Sequence, residues 1–125
     1  MEVVAAVITA GDFVLACRRA QHKASAGLWE FPGGKIEGVE DALSALAREL
    51  QEELGLLIHD AEHLDTSTTD GLTLHCFTIR VDHQFDVVST DHDAFAWLPI
   101  QELAELDFCK PDLPAVQKLL SGKAN

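Results

Sequence analysis

The spacing of apolar residues changes several times along this chain, and each change predicts an element. Val3-Val4-Ala5-Ala6-Val7-Ile8 is an unbroken apolar run of strand length and reads as a buried strand. Gly11-Asp12 supplies a turn and Phe13 to Cys17 a second strand, so a hairpin opens the fold. Ala20 to Gly27 is a polar loop, and Leu28 to Phe31 a short extended piece ended by Pro32-Gly33-Gly34. From Asp41 to Leu54 the period lengthens. Leu43, Leu46, Ala47, Leu50 and Leu54 fall on one stripe of a helix, with Asp41 as N-cap and Gly55 as C-cap. Strands follow over about 61–68 and 72–82, joined by the Asp70-Gly71 turn, and a further strand covers 95–98. Pro99 starts a short helix near 100–105, and Asp112 to Leu120 is a closing helix. No repeat, low-complexity tract or linker divides residues 1–125, so a single domain is expected. Strands and a few helices without regular βα alternation predict an α+β domain, an α/β/α sandwich with a mixed sheet.

Charge narrows the partners. The chain of 125 residues carries 21 acidic and 9 basic side chains, a formal net charge of -12. Such a surface has no basic face to displace counterions from nucleic acid or anionic lipid, so no nucleic-acid polymer and no membrane is expected as partner. A phosphate compound would have to be met through divalent cations. Cys17, Cys76 and Cys109 are odd in number and far apart, and the six His are scattered, so neither a disulfide framework nor a structural zinc site is implied. The apolar stretch from Val3 to Ala10 is too short for a signal sequence or a membrane span. A reduced, cytoplasmic protein is the expectation.

The helix from Asp41 carries the candidate chemistry. Glu49, Glu52 and Glu53 stand at i, i+3 and i+4, on a face about a third of a turn from the apolar stripe. Like charges at that spacing cost a bare helix about 0.2–0.5 kcal/mol per pair, and at its C-terminal end they also oppose the dipole. A solvated acidic face is one reading of such a run; a seat for hard cations, which prefer oxygen ligands, is the other. The whole string decides between them. Residues 34–56 read Gly-x5-Glu-x7-Arg-Glu-(apolar)-x-Glu-Glu-x-Gly-(apolar), nine fixed positions in 23 residues. This string is identified as the signature box of the Nudix hydrolases, and the chain resembles that family along nearly its full length.

The resemblance implies a loop-helix-loop that holds Mg²⁺ or Mn²⁺ against a diphosphate bridge. Glu49, Glu52 and Glu53 would be the metal ligands and catalytic carboxylates, with the Gly33 carbonyl beside them; Gly34, Glu40 and Arg48 would be structural. Where the family places glycine next to the box glutamate, this chain has Gly38-Val39. No ligand is lost by it. Leu28 to Glu37 and Arg18-Arg19-Ala20 look like the corresponding runs of MutT-like and cytidine nucleotide pyrophosphohydrolases, which implies substrate contacts from Arg19, Phe31, Lys35 and Asp112. Structural roles stand beside these: a surface arginine at a strand end, ordinary core packing for Trp29 and Phe31, and a helix N-cap for Asp112. Asp91, six residues before Trp97, matches a loop acid that serves in the family as metal ligand or general base, with Asp93 as its neighbouring alternative. The expected activity is Mg²⁺-dependent cleavage of a (deoxy)nucleoside 5′-triphosphate, an oxidised purine such as 8-oxo-dGTP or a CTP/dCTP type, to monophosphate and pyrophosphate. That activity serves nucleotide-pool sanitation or pyrimidine nucleotide control, in a monomer or homodimer. Hydrolysis of another nucleoside diphosphate derivative, a non-catalytic nucleotide sensor and an acidic interaction domain are the rivals. The absence of Pro between Pro32 and Pro99 and of any Tyr sets the chain apart from the ADP-ribose and dinucleoside polyphosphate branches.

Overall fold

A computed structural model describes residues 1–122. Seven strands and two α-helices follow in the order β1 (Glu2–Ala10), β2 (Phe13–Arg19), β3 (Trp29–Glu30), β4 (Gly33–Lys35), α1 (Ala42–Leu54), β5 (Glu62–Thr69), β6 (Leu72–Arg80), β7 (His92–Pro99) and α2 (Leu113–Leu120) among the described residues. Short 3-10 turns at Ile100–Glu105 and Lys110–Asp112 lead into α2. The strands form one mixed sheet in the order β3-β2-β1-β6-β5, with β4 paired to β1 and β7 to β2. Among the strand pairs of the described residues, β1 and β6 run parallel, joined by a long crossover that includes α1. The β5–β6 hairpin turns at Asp70 (φ 50) and Gly71 (φ 81), both left-handed, as a tight right-twisting hairpin demands.

Two cores flank the sheet. Val4, Ala6 and Ile8 of β1 pack with Leu15, Cys17, Phe77 and Ile79 beneath Ala45, Leu46 and Leu50 of α1. Ala5 and Val7 point the other way, to Val14, Ala16, Leu74, Leu98, Leu103 and the α2 residues Val116 and Leu119. Covered on both faces, β1 reads as continuous apolar sequence where a half-exposed strand would alternate. The α/β/α sandwich expected from the sequence is present.

Three details correct the sequence reading. Leu43 lies off the buried face of α1 and is 48% exposed, while Ala45 takes its place. Gly33 and Gly34, read as the end of an extended piece, themselves form β4 against β1. The strand expected at 95–98 begins at His92. The caps of α1 are as expected: Asp41 accepts from the Ser44 N–H at 2.8 Å, and Gly55 takes a left-handed φ of 65°.

Candidate active site

The site begins where the first hairpin splits. β1 and β2 are paired only at Thr9↔Val14 and Ala10↔Phe13. Beyond that point β1 takes β4 as its neighbour and β2 takes β3. Pro32 bridges the parting by accepting the Ala6 N–H at 2.8 Å. A cleft of about 420 Å³ opens there; Gly33, Gly34 and Lys35 line it together with Glu49 and Glu53 of α1. Arg19, Phe31, Asp91 and Asp112, all singled out from the sequence, line it as well.

Helix geometry puts the two glutamates at its floor. At 3.6 residues per turn, Glu49 and Glu53 continue the line of Ala42, Ala45 and Leu46 and so face the sheet. This replaces the expected offset of a third of a turn. Space for Glu49 comes from β4. A Cβ at Gly34 would collide with the Glu49 carboxyl, and one at Gly33 would run into the Val4 carbonyl. Gly33 is therefore required for the close approach of β4 to β1, while a Cβ at Gly34 would displace the flexible end of the Glu49 side chain. Glu52 diverges. Its side chain is 59% exposed and pairs with Arg48 Nη1 at 2.8 Å, an i,i+4 contact outside the cleft.

Arg48 ties the entrance loop to the helix. It donates to both carboxylate oxygens of Glu40, at 2.7 and 3.0 Å, and to the Lys35 carbonyl at 3.0 Å. Glu40 also accepts the Glu37 N–H at 2.9 Å. The Arg48 bonds, followed by that backbone donor, hold the Glu40 carboxyl down at about 2. Gly38-Val39 leaves this arrangement intact: Gly38 turns with a φ of 55° and the Val39 side chain stands in solvent. Arg48 and Glu40 thus join the loop before α1 to the helix.

Burial governs the acids at the floor of the cleft. Burial pushes the Glu53 carboxyl up to about 7; the ring of His92 opposes this, while Glu30, Glu49 and Asp91 add to it. Burial likewise raises Glu49, against the pull of Arg48. Asp112 is 6% exposed and accepts the Phe31 N–H at 3.0 Å. Burial lifts it to about 7 despite that bond. It makes no capping bond to α2, so the helix-cap role falls away. Phe31 packs on Phe108 with ring centroids 5.1 Å apart, forming an apolar wall next to Asp112. Arg19 donates to Glu30 at 2.9 Å and to the Ala24 carbonyl at 2.6 Å. Asp91 faces Lys23 at 3.5 Å on the rim, whereas Asp93 turns to Arg18 at 2.7 Å, away from the cleft.

Sequence reasoning missed Glu30, Lys23 and His92, which also line the cleft. Glu30 carried a signal, as a lone acid inside an otherwise apolar run from Leu28 to Phe31. His92 carried none that periodicity reads correctly, because a bulge in β7 changes the face on which it falls.

Oxygen-only donors beside a glycine strand suit a hard divalent cation. Among the described residues, no three His, Cys, Asp or Glu groups stand converged on one point. Glu52 is drawn off by Arg48, and Glu53 lies 3.5 Å from the ring of His92. The donor chemistry fits a cation; the third carboxylate has to leave Arg48 to join it.

Fold and cleft together place carboxylates of one helix beside a glycine strand in a mixed-sheet sandwich. The chain belongs to the NUDIX domain family, whose model matches residues 1–119, and so stands among the Nudix hydrolases. It is 32% identical over 127 residues to the CTP pyrophosphohydrolase of Escherichia coli K12, covering 99% of this chain and 94% of that protein. It is 34% identical over 130 residues to the putative 8-oxo-dGTP diphosphatase 2 of Mycobacterium tuberculosis H37Rv, covering 98% and 92%. A solved structure from work on MutT of Aliivibrio salmonicida and Vibrio cholerae superposes with a TM-score of 0.81 at 25% identity, covering 98% of this chain and 99% of that one.

Proposed function

We propose that this Nudix hydrolase, acting as one domain, cleaves a (deoxy)nucleoside 5′-triphosphate to the monophosphate and pyrophosphate. The observation that carries this reading is the placement of Glu49 and Glu53 against β4 at the floor of a cleft whose far wall is Phe31 and Asp112. The names of the relatives support it, as does the family's general use of divalent metal ions. Mg²⁺ is the ion proposed, with Mn²⁺ as substitute.

Glu49, Glu53 and a released Glu52 would hold the cation, with the Gly33 carbonyl adjacent. The bound ion neutralises phosphate charge and makes water more acidic. Glu49 takes the proton from the attacking water as its oxygen bonds to phosphorus, and the anhydride P–O bond opposite breaks, the leaving phosphate keeping the electron pair. Asp91 on the rim is the alternative base. Arg19 and Lys35 supply positive charge to the phosphates. Phe31 offers a face for the base, and Asp112, with one oxygen on the Phe31 N–H, presents the other to amino or ring N–H groups. Cytosine and oxidised purines both carry such donors.

A screen for pyrophosphate release with 8-oxo-dGTP, CTP, dCTP, 5-methyl-dCTP and ADP-ribose, with and without Mg²⁺, tests the reading. Turnover of a triphosphate only with the ion is expected; nucleotide binding without turnover would replace the enzyme by a sensor. Glu53→Gln is expected to lower kcat at least about a hundredfold with an unchanged circular-dichroism spectrum. Asp112→Ala is expected to reorder the base preferences more than it slows the best substrate, and an unchanged order would remove Asp112 from base recognition.

A further inference from the structure

His92 occupies the first position of β7, and its side chain is 3% exposed. Its Nε2 lies 2.8 Å from Glu30 Oε2. An ionised carboxylate only accepts, so this nitrogen carries hydrogen and donates. Nδ1 then faces the Ser89 hydroxyl at 3.1 Å and Glu53 Oε1 at 3.5 Å. Ser89 Oγ also accepts the Asp91 N–H at 3.1 Å. One ring thereby touches β3, α1 and the loop that carries Asp91.

A second observation is independent of those contacts. Along the β2–β7 ladder the register runs regularly to Arg18↔Ala94 and then slips, so that Arg19 faces His92. Simple alternation groups His92 with Ala94, Ala96 and Leu98, and the last two pack in the core on the α2 side. The slipped residue, Asp93, is turned out to Arg18, and His92 is carried to the α1 side. Bulges re-aim side chains in this way and recur beside active sites. Arg19 and His92 then share Glu30, one on each oxygen, at 2.9 and 2.8 Å.

We propose that His92 is a positioning residue that holds the Glu53 carboxylate at the floor of the cleft and ties it to Glu30 and, through Ser89, to the Asp91 loop. The role rests on the reading of Glu53 as a working carboxylate of the site. Glu53 shares the cleft with Glu30, Glu49 and Asp91, and the buried His92 ring, itself anchored on Glu30, meets its Oε1 at 3.5 Å. With the ring removed, the carboxylate loses the contact that fixes its direction.

The test compares Mn²⁺ affinity, measured by electron paramagnetic resonance on the metal alone, with kcat and KM on CTP or 8-oxo-dGTP, whichever is turned over faster. His92→Ala is expected to weaken Mn²⁺ binding and lower kcat, each about tenfold or more, with KM within about threefold of the parent. His92→Asn, whose amide reaches the Nδ1 position, recovers part of both; His92→Gln, whose amide reaches the Nε2 position, recovers less. His75→Ala, whose ring bonds Glu2 and Thr66 and does not line the cleft, matches the parent. Parental Mn²⁺ affinity and kcat in His92→Ala overturn the proposal. Losses in all three His92 variants that merely follow their thermal midpoints also overturn it. Glu53→Gln separates the two levels: if it is impaired and His92→Ala is not, only the role of His92 falls. If Glu53→Gln matches the parent, the reading of the site falls and this role with it.

Discussion

Asp112 shows how burial overrides composition at a single residue. Its carboxyl is enclosed, and one backbone N–H from Phe31 does not offset the lost hydration, so it titrates near 7 where a free Asp titrates near 3.8. The native state therefore binds this proton more tightly than the unfolded chain. Its contribution is fully present below about 3.8 and is lost as pH rises towards 7. Asp112→Asn keeps an acceptor for Phe31 and cannot ionise. Urea unfolding of the two proteins is expected to show the variant gaining on the parent between pH 4 and 7, by more than about 1 kcal/mol, and a constant difference above that. A difference independent of pH would mean Asp112 ionises freely. The residue type and position were legible in the sequence, but its direction was not. An Asp just before a helix with Pro near its start signals a cap, and only the Phe31 contact across 81 positions shows otherwise.

Helix α1 and its entrance loop form one unit through Arg48. The ion pair with Glu40 is part-buried, and Glu40 titrates near 2, well below its ordinary 4.5. A depressed carboxyl stabilises the native state above its unfolded value, so this contribution is present above about 4.5 and is lost as pH falls towards 2. Glu40→Gln is expected to flatten the acid limb of a pH–stability curve over that window, checked by thermal melts from pH 2 to 6. An unchanged limb would mean the pair holds no native structure in place. The sequence disclosed this element well, because caps, period and signature residues are all local along the helix. It misjudged Leu43 and the facing of Glu49 and Glu53. Spacing alone treats every apolar residue as core and every acid as surface, whereas Gly34 of β4 leaves room for the Glu49 carboxyl on the buried face. At β7 the failure was a bulge: one extra residue, Asp93, opposite the step from Arg18 to Arg19 inverts the face on which His92 falls.

Charge acts on the molecule as a whole. A net charge of -12 on 125 residues repels itself in the compact state. Raising NaCl from about 0.02 to 0.5 M shortens the Debye length from roughly 20 Å to about 4 Å, inside the dimensions of a small domain. The thermal midpoint is expected to rise with salt in a fluorescence melt; a falling midpoint would mean that local pairs such as Arg48–Glu40 outweigh the global repulsion. The same excess of acid makes a cation the natural intermediary for a triphosphate at the cleft.

By itself the sequence determined the strand-and-helix order, the doubly covered first strand, the capped acidic helix and the family, because each depends on residues near one another in the chain. The tertiary structure alone decided which carboxylates share the cleft, that Glu52 turns to Arg48, and that Glu30 and His92 join Glu53. Those outcomes depend on strand splay, glycine clearance and a register slip, which arise only when distant segments pack together.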